Sequence, residues 1–181
     1  DFRKPLINMS PKSLLRHKLA ISDLKDFAPG TSFTRVYPEV DALAKDADVK
    51  RLIFTSGKVY YDLLEARRAK NINDIALVRV EQYYPFPAVE IEAQLKKYPN
   101  AEVVWAQEEP KNMGAWSFIG PRIGDVMDAV GRPSNRIRYV GRPEMASPAE
   151  GYMKLHTRSQ TALIEDAMTL EATASKQKKK A

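Results

Sequence analysis

The chain has 181 residues, of which 44% are hydrophobic and 29% charged, and these values suit one globular domain of ordinary size. It contains no cysteine and only two histidines, His17 and His156, which excludes disulfides, thiolate metal sites and a histidine metal cage. No apolar run approaches the roughly 20 residues that a membrane helix needs. The first four residues lack a methionine and a signal-peptide core behind them, so we expect a start within a longer chain.

The net charge of +6 raises the question of nucleic-acid binding. Four lysines between positions 176 and 181 carry four of these charges and leave +2 for the other residues. Blocks of like charge are typical of solvated tails, and no aromatic side chain interrupts this one to stack on bases. We therefore predict a disordered Lys-rich tail at 171–181 and no nucleic-acid partner. The opposing hypothesis predicts salt-dependent DNA binding that is lost when residues 176–181 are removed.

Short apolar runs alternate with amphipathic stretches along most of the chain. The runs predict strands at 51–55, 75–80, 102–106 and 137–140. Apolar side chains at helical spacing predict helices within 59–70, 88–98, 119–130 and 163–170, with Gly131 placed to end the third helix. Such alternation predicts an α/β fold, a three-layer sandwich around a mainly parallel sheet of about five strands.

The first part of the chain does not follow this rhythm. Residues 5–9 resemble a strand with no helix leading into it, and 10–17 begin with a capping-type serine typical of a short turn or helix. The stretch from 22 to 38 is rich in loop residues, with a turn signal at Pro29-Gly30. We therefore assign 1–38 to the end of a preceding domain and a linker, and 39–170 to the α/β domain.

Polar residues follow the predicted strands, at the edge where open α/β sheets bind ligands. They are Ser56, Gly57 and Lys58; Glu81 and Gln82; Gln107, Glu108 and Glu109; and Gly141 and Arg142. Because Ser56-Gly57-Lys58 opens a helix, its backbone N–H groups and the lysine favour a phosphate. The segment lacks the glycine spacing of a P-loop or a dinucleotide fold. The alternative is structural: Ser56 caps the helix and Gly57 permits a tight turn.

Other candidates for chemistry are weaker. Glu81, Glu108 and Glu109 would suit acid–base work or a Mg²⁺ site, but an ion pair or a partner contact would also explain them. Neither histidine has a serine or aspartate at a spacing that indicates a triad. Trp116, in the loop after Asn112, is either ordinary core or an exposed anchor for another chain. We therefore expect no catalytic, cofactor-binding or metal-binding residue in this chain.

Five strings, in order, resemble the thiamine-diphosphate-dependent component of the 2-oxoglutarate dehydrogenase complex. They are MSPKSLLRH at 9–17, TSGKVYYD at 55–62, VEQYYPFP at 80–87, QEEPKNMGAW at 107–116 and GRPEMASPA at 141–149. The resemblance runs from about residue 5 to residue 170. It implies the last of the transketolase-like domains of a much longer enzyme, with 6–9 completing the pyrimidine-type domain and 10–38 connecting the two.

The family's activity follows from the same resemblance. These enzymes decarboxylate 2-oxoglutarate in the tricarboxylic acid cycle and pass the succinyl group to lipoamide on the dihydrolipoamide succinyltransferase component. Thiamine diphosphate and Mg²⁺ bind in the preceding domains, so the resemblance implies that this chain binds neither and is inactive alone. It also implies the bacterial cytoplasm or the mitochondrial matrix as the location.

Two roles for the domain are implied as well. Relatives are homodimers, which agrees with a subunit interface formed by Glu108, Glu109, Asn112, Gly114 and Trp116. Some relatives bind acetyl-CoA or AMP here, and the resemblance carries this effector role over to Gln82, next to the candidate anion site at Ser56, Gly57 and Lys58. The basic residues that follow the Pro-x-Pro turn in such relatives are Val89 and Glu90 in this chain. The alternative function is a free-standing nucleotide- or CoA-binding α/β module.

Overall fold

The computed structural model describes residues 2–134 and 136–170, which fall into two units divided between Phe33 and Thr34. The tail predicted at 171–181 lies outside the described residues. The first unit contains two short 3-10 helices, Lys12–Arg16 and Leu24–Phe27, and none of its residues 2–33 is buried. The helix confirms the prediction for 10–17, and Gly30 has the positive φ of a turn, 91°. The predicted strand at 5–9 is wrong, because this apolar run pairs with no other strand.

The second unit is built on one five-stranded sheet. Its strands are β1 (Val36–Tyr37), β2 (Arg51–Thr55), β3 (Ile75–Val80), β4 (Glu102–Pro110) and β5 (Arg138–Arg142), in the order β1-β3-β2-β4-β5. The four strands β3, β2, β4 and β5 run parallel to one another, whereas β1 runs antiparallel along β3. The mainly parallel five-stranded sheet is therefore confirmed. Its fifth strand is β1, which lies in the stretch that we assigned to a linker.

Four helices complete three layers. They are α1 (Val59–Ala69), α2 (Ala88–Lys97), α3 (Trp116–Ala129) and α4 (Met153–Met168). α1 contacts α4 and α2 contacts α3, so each pair covers one face of the sheet. Gly131 follows α3 with φ 72°, which confirms it as the helix stop. α4 begins at Met153, ten residues before the predicted 163. The sequence missed this first half because it contains no buried residue and shows no apolar periodicity. None of the helices in the described ranges has the length and apolar character to span a bilayer.

The strands β2 and β3 form the centre of the core. Every residue of β2 is buried, and alternate side chains point to opposite layers. Leu52 and Phe54 pack in one cluster with Ile91 of α2 and Ile119 of α3. Ile53, between them in the chain, is fully buried toward the layer of α1 and α4. Burial on both faces explains why these strands read as unbroken apolar runs.

A buried ion pair fixes the segment after β1. The guanidinium of Arg67 in α1 donates to both carboxylate oxygens of Glu39, with Nη2 2.7 Å from Oε1, and to Asp41 at 2.8 Å. Glu39 also accepts the backbone N–H of Leu77 in β3 at 2.7 Å. Burial lowers the pKa of Arg67, but its bonds to Glu39 and Asp41 outweigh that effect and raise it. These bonds anchor residues 39–41 to the sheet and to α1.

Candidate functional site

The candidate residues meet at the carboxyl ends of β2, β3 and β4. Residues 107–109 lie within β4, which continues to Pro110, and not after a strand that ends at 106 as the sequence predicted. α1 leaves β2 toward one face of the sheet, whereas α2 and α3 leave β3 and β4 toward the other. Connections that diverge in this way open a crevice beyond the carboxyl ends of the strands. We call residues 56–58, 81–83 and 107–109 the strand-end edge.

The turn after β2 begins α1 without a side-chain cap. Gly57 has φ 71°, which confirms a tight turn that favours glycine. The residue at the helix N-cap is Lys58, and no side chain caps the first turn. The alternative in which Ser56 caps α1 is therefore wrong. Burial raises the pKa of the Tyr83 phenol, and a hydrogen bond with Ser56 offsets part of that rise.

Lys58 is held by two carboxylates. Its Nζ lies 2.7 Å from Oδ2 of Asp62, one turn along α1, and 3.0 Å from Oε1 of Glu108 at the end of β4. Burial lowers the pKa of Lys58, but the hydrogen bonds to Asp62 and Glu108 reverse the shift and raise it. The ammonium group is therefore charged and paired within the chain, and any anion at the strand-end edge would compete with Glu108.

The other carboxylates at this edge form separate pairs or stand exposed. Nε of Arg79 lies 2.6 Å from Oε1 of Glu81, and the Arg79 guanidinium stacks over the rings of Tyr37 and Tyr60. Glu108 pairs with Lys58, and Glu109 is exposed. Within residues 2–134 and 136–170, no group of three or more histidine, aspartate or glutamate side chains is arranged to hold a metal ion. The edge therefore does not fit the Mg²⁺ site considered from the sequence.

Gln82 closes the turn that follows β3. Its Nε2 donates to the carbonyl of Pro85 at 2.9 Å, and the Tyr84–Pro85 peptide bond is cis. The backbone N–H of Gln82 donates to the carbonyl of Arg35 just before β1. The side chain of Arg35 pairs with Glu90 of α2. Gln82 thus lies at the strand-end edge, as the sequence predicted, but its amide is used within its own turn.

A buried amide that we did not single out for this role organises the loop after β4. Oε1 of Gln107 accepts the indole N–H of Trp105 at 2.9 Å and the backbone N–H of Trp116 at 3.0 Å. Its Nε2 donates to the carbonyls of Glu109, Pro110 and Met113, at 3.2, 3.2 and 2.8 Å. One side chain therefore ties the end of β4, the loop 111–115 and the start of α3 together. Only the apolar strand before it and the following helix marked this position in the sequence.

Gly114 is required where this loop approaches Gln107. It has φ 65°, and a Cβ there would lie 2.9 Å from Nε2 of Gln107 and 3.0 Å from Cβ of Glu109. Both the backbone conformation and the close approach therefore exclude a larger residue. The structure brings Glu109 and Gly114 together, and the interface role assigned to them stays a prediction.

Trp116 lies between the two alternatives that we weighed. Its ring is half-buried, with its centroid 5.2 Å from that of Tyr139 in β5, and it packs against the apolar core. Gly120 leaves room for it, since a Cβ there would lie 3.0 Å from the indole. Asn112 is exposed and exchanges two hydrogen bonds with the backbone of Met145. One part of the Trp116 ring therefore supports the loop, and another part faces outward.

Neither histidine is among the residues of the strand-end edge. His17 is in the first unit. His156 is in α4, where its Nδ1 is 3.1 Å from Nη2 of the buried Arg142 and 3.9 Å from Oε2 of Glu150. A hydrogen bond from Ser159 lowers the pKa of Glu150, and Arg142 lowers it further. This polar cluster serves packing, and its geometry offers no activated nucleophile.

Comparison with known proteins adds a family to this geometry. Residues 21–168 match the family model described as 2-oxoglutarate dehydrogenase C-terminal. The chain is 49% identical over 176 residues to the 2-oxoglutarate dehydrogenase E1 component of Brucella anthropi, and 50% identical over 176 residues to that of Brucella ovis. Each alignment covers 93% of this chain and 18% of the relative, so the chain spans less than a fifth of their length.

A solved structure was also similar. It is described as a split gene transketolase, inactive beta4 tetramer, and it matches with a TM-score of 0.49 and 17% identity over 80% of this chain and 45% of that one. The family match covers both the sheet and its helices. The chain belongs to the 2-oxoglutarate dehydrogenase C-terminal family.

Proposed function

We propose that this chain is the C-terminal assembly and regulatory domain of a 2-oxoglutarate dehydrogenase, and that it is inactive without the rest of that enzyme. The observation that carries the proposal is the identity of about 50% to named 2-oxoglutarate dehydrogenase E1 components, over a region that is 18% of their length. The geometry is in accord with a supporting role. At the strand-end edge Lys58, Glu81, Glu108 and Gln82 are each engaged by a neighbour in the chain.

The reaction belongs to the other domains in this proposal. Thiamine diphosphate would supply the electron sink for decarboxylation of 2-oxoglutarate, with Mg²⁺ at its diphosphate. The described residues of this chain do not fit that cofactor, because they offer neither a carboxylate cluster for the metal nor an unengaged acid–base pair. The succinyl group would pass to lipoamide on the dihydrolipoamide succinyltransferase component. The bacterial relatives favour the cytoplasm over the mitochondrial matrix as the location.

The loop after β4 is the proposed contact between subunits of a homodimer. Asn112 is exposed, Glu109 is exposed, and Trp116 is half-buried, whereas Gln107 fixes the backbone of the loop from below. A loop held in one conformation loses little conformational entropy when a partner binds. Tryptophan is also the side chain most enriched at energetically important interface positions. Glu108 and Gly114 contribute through the shape of the loop.

The strand-end edge is the proposed site for a nucleotide-type effector, acetyl-CoA or AMP. Gly57 leaves its surroundings open, since a Cβ there would meet nothing within 4 Å, and no side chain caps α1, whose Tyr60 and Tyr61 N–H groups bond the carbonyls of Gly57 and Lys58. Lys58 would add its charge once Glu108 had moved away, and Ser56 and Gln82 are the other residues assigned to the site. A melting temperature of the full-length enzyme that does not change in saturating acetyl-CoA or AMP would contradict this assignment.

The central experiment compares three proteins: the full-length enzyme, the enzyme without this domain, and the 181-residue chain. We expect 2-oxoglutarate decarboxylation only from the full-length enzyme, which should sediment as a dimer. The enzyme lacking the domain should lose the dimer and most of its activity. Decarboxylation by the 181-residue chain alone, or full activity and assembly without it, would contradict the proposal.

Trp116→Ala in the full-length enzyme tests the interface loop. Truncation of an interface hot spot costs about 2 kcal/mol, so the dimer dissociation constant should rise about thirtyfold in sedimentation equilibrium. Trp116→Phe keeps a ring against Tyr139 and separates loss of internal packing from loss of the contact. Tyr152→Ala, at an exposed aromatic outside the loop, is the control. An unchanged dissociation constant for Trp116→Ala would remove the loop from the interface.

A further inference from the structure

The two halves of α4 are attached to the domain in different ways. Leu163, Ala167 and Met168, in the second half, are buried. No residue between 151 and 162 is buried, Tyr152 and Met153 are largely exposed, and Leu155 is about half exposed. The apolar attachment of the helix is thus confined to its carboxyl-terminal half.

A buried arginine strengthens that carboxyl-terminal attachment. Nη1 of Arg51, in β2, donates to the carbonyls of Asp166, Ala167 and Thr169, at 3.1, 2.7 and 2.9 Å. These carbonyls lie at the end of the helix, where no intrahelical N–H is available to them. Arg51 is fully buried, and its Nε pairs with Glu102 at 2.7 Å. The second half of α4 is therefore fixed by both packing and charge-assisted hydrogen bonds.

The first half is held by polar contacts alone, and most of them converge on one side chain. Arg142, at the end of β5, places Nη1 3.0 Å from Oε2 of Glu150. Its Nη2 lies 3.1 Å from Nδ1 of His156 and 3.5 Å from Oε1 of Gln160. Gln160 in turn donates to Asp62 of α1 at 2.8 Å. We call Arg142 with Glu150, His156 and Gln160 the latch.

Beneath this half the two helices are separated. A groove of about 540 Å³ lies between α1 and α4, lined by Asp62, Ala66, Ala69, Gln160 and Ile164 among others. Across it, the bond from Gln160 to Asp62 joins the helices. The segment before the helix is pinned further back, where Asn112 bonds the backbone of Met145. Residues 146–160 thus lie between a fixed point at 145 and the packed half of α4.

We propose that residues 146–160 form a flap, which opens by local unfolding while the second half of α4 stays docked, and that Arg142 is the positioning residue that holds it closed. Segments with few buried apolar contacts open locally at a lower free energy than the core. Opening breaks the bond from Gln160 to Asp62, and Asp62 is one of the two carboxylates that hold Lys58. The flap is therefore coupled through Asp62 to the strand-end edge, and it uncovers the groove beside α1.

Hydrogen exchange on the full-length enzyme tests the flap. After correction for intrinsic rates, amides 157–160 of the unmodified protein should exchange at least tenfold faster than amides 165–168. Arg142→Met should accelerate exchange at 157–160 by a further tenfold or more and change 165–168 by less than twofold. Arg51→Met is the matched control, and it should accelerate 165–168 instead.

Two results would overturn the proposal. One is a single rate for both halves of α4 in the unmodified protein, since the helix would then open as one piece. The other is an Arg142→Met variant that accelerates both halves equally, or neither. Should that variant not fold, Glu150→Gln removes charge from the latch while Arg142 stays in place, and the same pattern of rates is expected.

Discussion

Residues 2–33 and the sheet domain use apolar side chains in opposite ways. The first unit exposes nine large apolar residues, with between 68% and 92% of their surface accessible. They are Phe2, Leu6, Ile7, Met9, Leu15, Ile21, Leu24, Phe27 and Phe33. In the sheet domain, side chains of the same types in β2 and β3 are completely buried.

This contrast shows that apolar content alone does not make a core. The runs in β2 and β3 are buried because parallel strands pair on both sides and helices cover both faces. Residues 5–9 have a similar composition but no strand beside them, and they bury nothing. The stability of the chain therefore resides in the sheet domain, and the first unit presents an apolar surface that other parts of a larger enzyme would cover.

The largest predicted difference in stability comes from truncating one phenylalanine in each region. Phe54→Ala should destabilise the 181-residue chain by about 4 kcal/mol, because it leaves a cavity between the sheet and the layer of α2 and α3. Phe27→Ala should change the free energy of unfolding by less than about 0.5 kcal/mol, since the ring is already in water. Urea unfolding measures both. Equal losses in the two variants would break the contrast.

Arg67→Met tests how residues 39–41 are anchored within the sheet domain. Removing this guanidinium leaves the buried Glu39 carboxylate uncompensated, and the expected loss is about 3 kcal/mol. Arg68→Met, one residue along α1, removes a more exposed partner of Asp41 and should cost less than about 1 kcal/mol. If both variants unfold at the same urea concentration, the buried pair does not anchor residues 39–41.

Gln107→Leu tests the hydrogen bonds that Gln107 makes within the sheet domain. The substitution leaves the carbonyls of the loop after β4 without their donor, so we expect a loss of about 2 kcal/mol in urea unfolding. In the full-length enzyme the same variant should also weaken the dimer if the loop is the interface. Gln107→Glu keeps the acceptor for Trp116 and separates the donor contribution. A variant as stable as the parent would show that solvent replaces the amide.

The smallest predicted effect is on how the stability of the fold depends on pH. Hydrogen bonds from Arg68, with a further contribution from Arg67 and against a smaller effect of burial, lower the pKa of Asp41 from 3.8 to about 2. A carboxylate whose pKa is lower in the folded state stabilises the fold above pH 3.8, and this stabilisation disappears as the pH falls toward 2. Solvent screens part of it, so we expect a loss of about 1 kcal/mol over that interval. Asp41→Asn should remove this component; an unchanged pH profile would contradict the assignment.

The sequence predicted most of the sheet domain because its strands and helices carry their own periodicity. Strands β2 and β3 matched the predicted bounds, and Gly57 and Gly131 marked the expected turns. β1 was missed because two residues show no periodicity, and its position depends on pairing with Val80 and Arg79. The start of α4 was missed because that half of the helix buries nothing.

The candidate site was less predictable, since its contacts join distant parts of the chain. The Lys58–Asp62 pair follows from helical spacing, but the second partner, Glu108, lies on another strand. The role of Gln107 depends on three carbonyls that only the folded loop brings together. Arrangements of this kind leave no local pattern in the sequence. The family was identified from the resemblance of five sequence strings, and the match of the family model over residues 21–168 confirms it.

Amide exchange of residues 6–27, compared between the 181-residue chain and the full-length enzyme, is the most direct test of whether this chain is one domain of a larger enzyme. We expect rapid exchange in the isolated chain, and at least hundredfold slower exchange at several of these amides once the other domains cover them. Exchange in 51–55 should be slow in both. Equally rapid exchange at 6–27 in the complete enzyme would show that nothing covers this apolar surface.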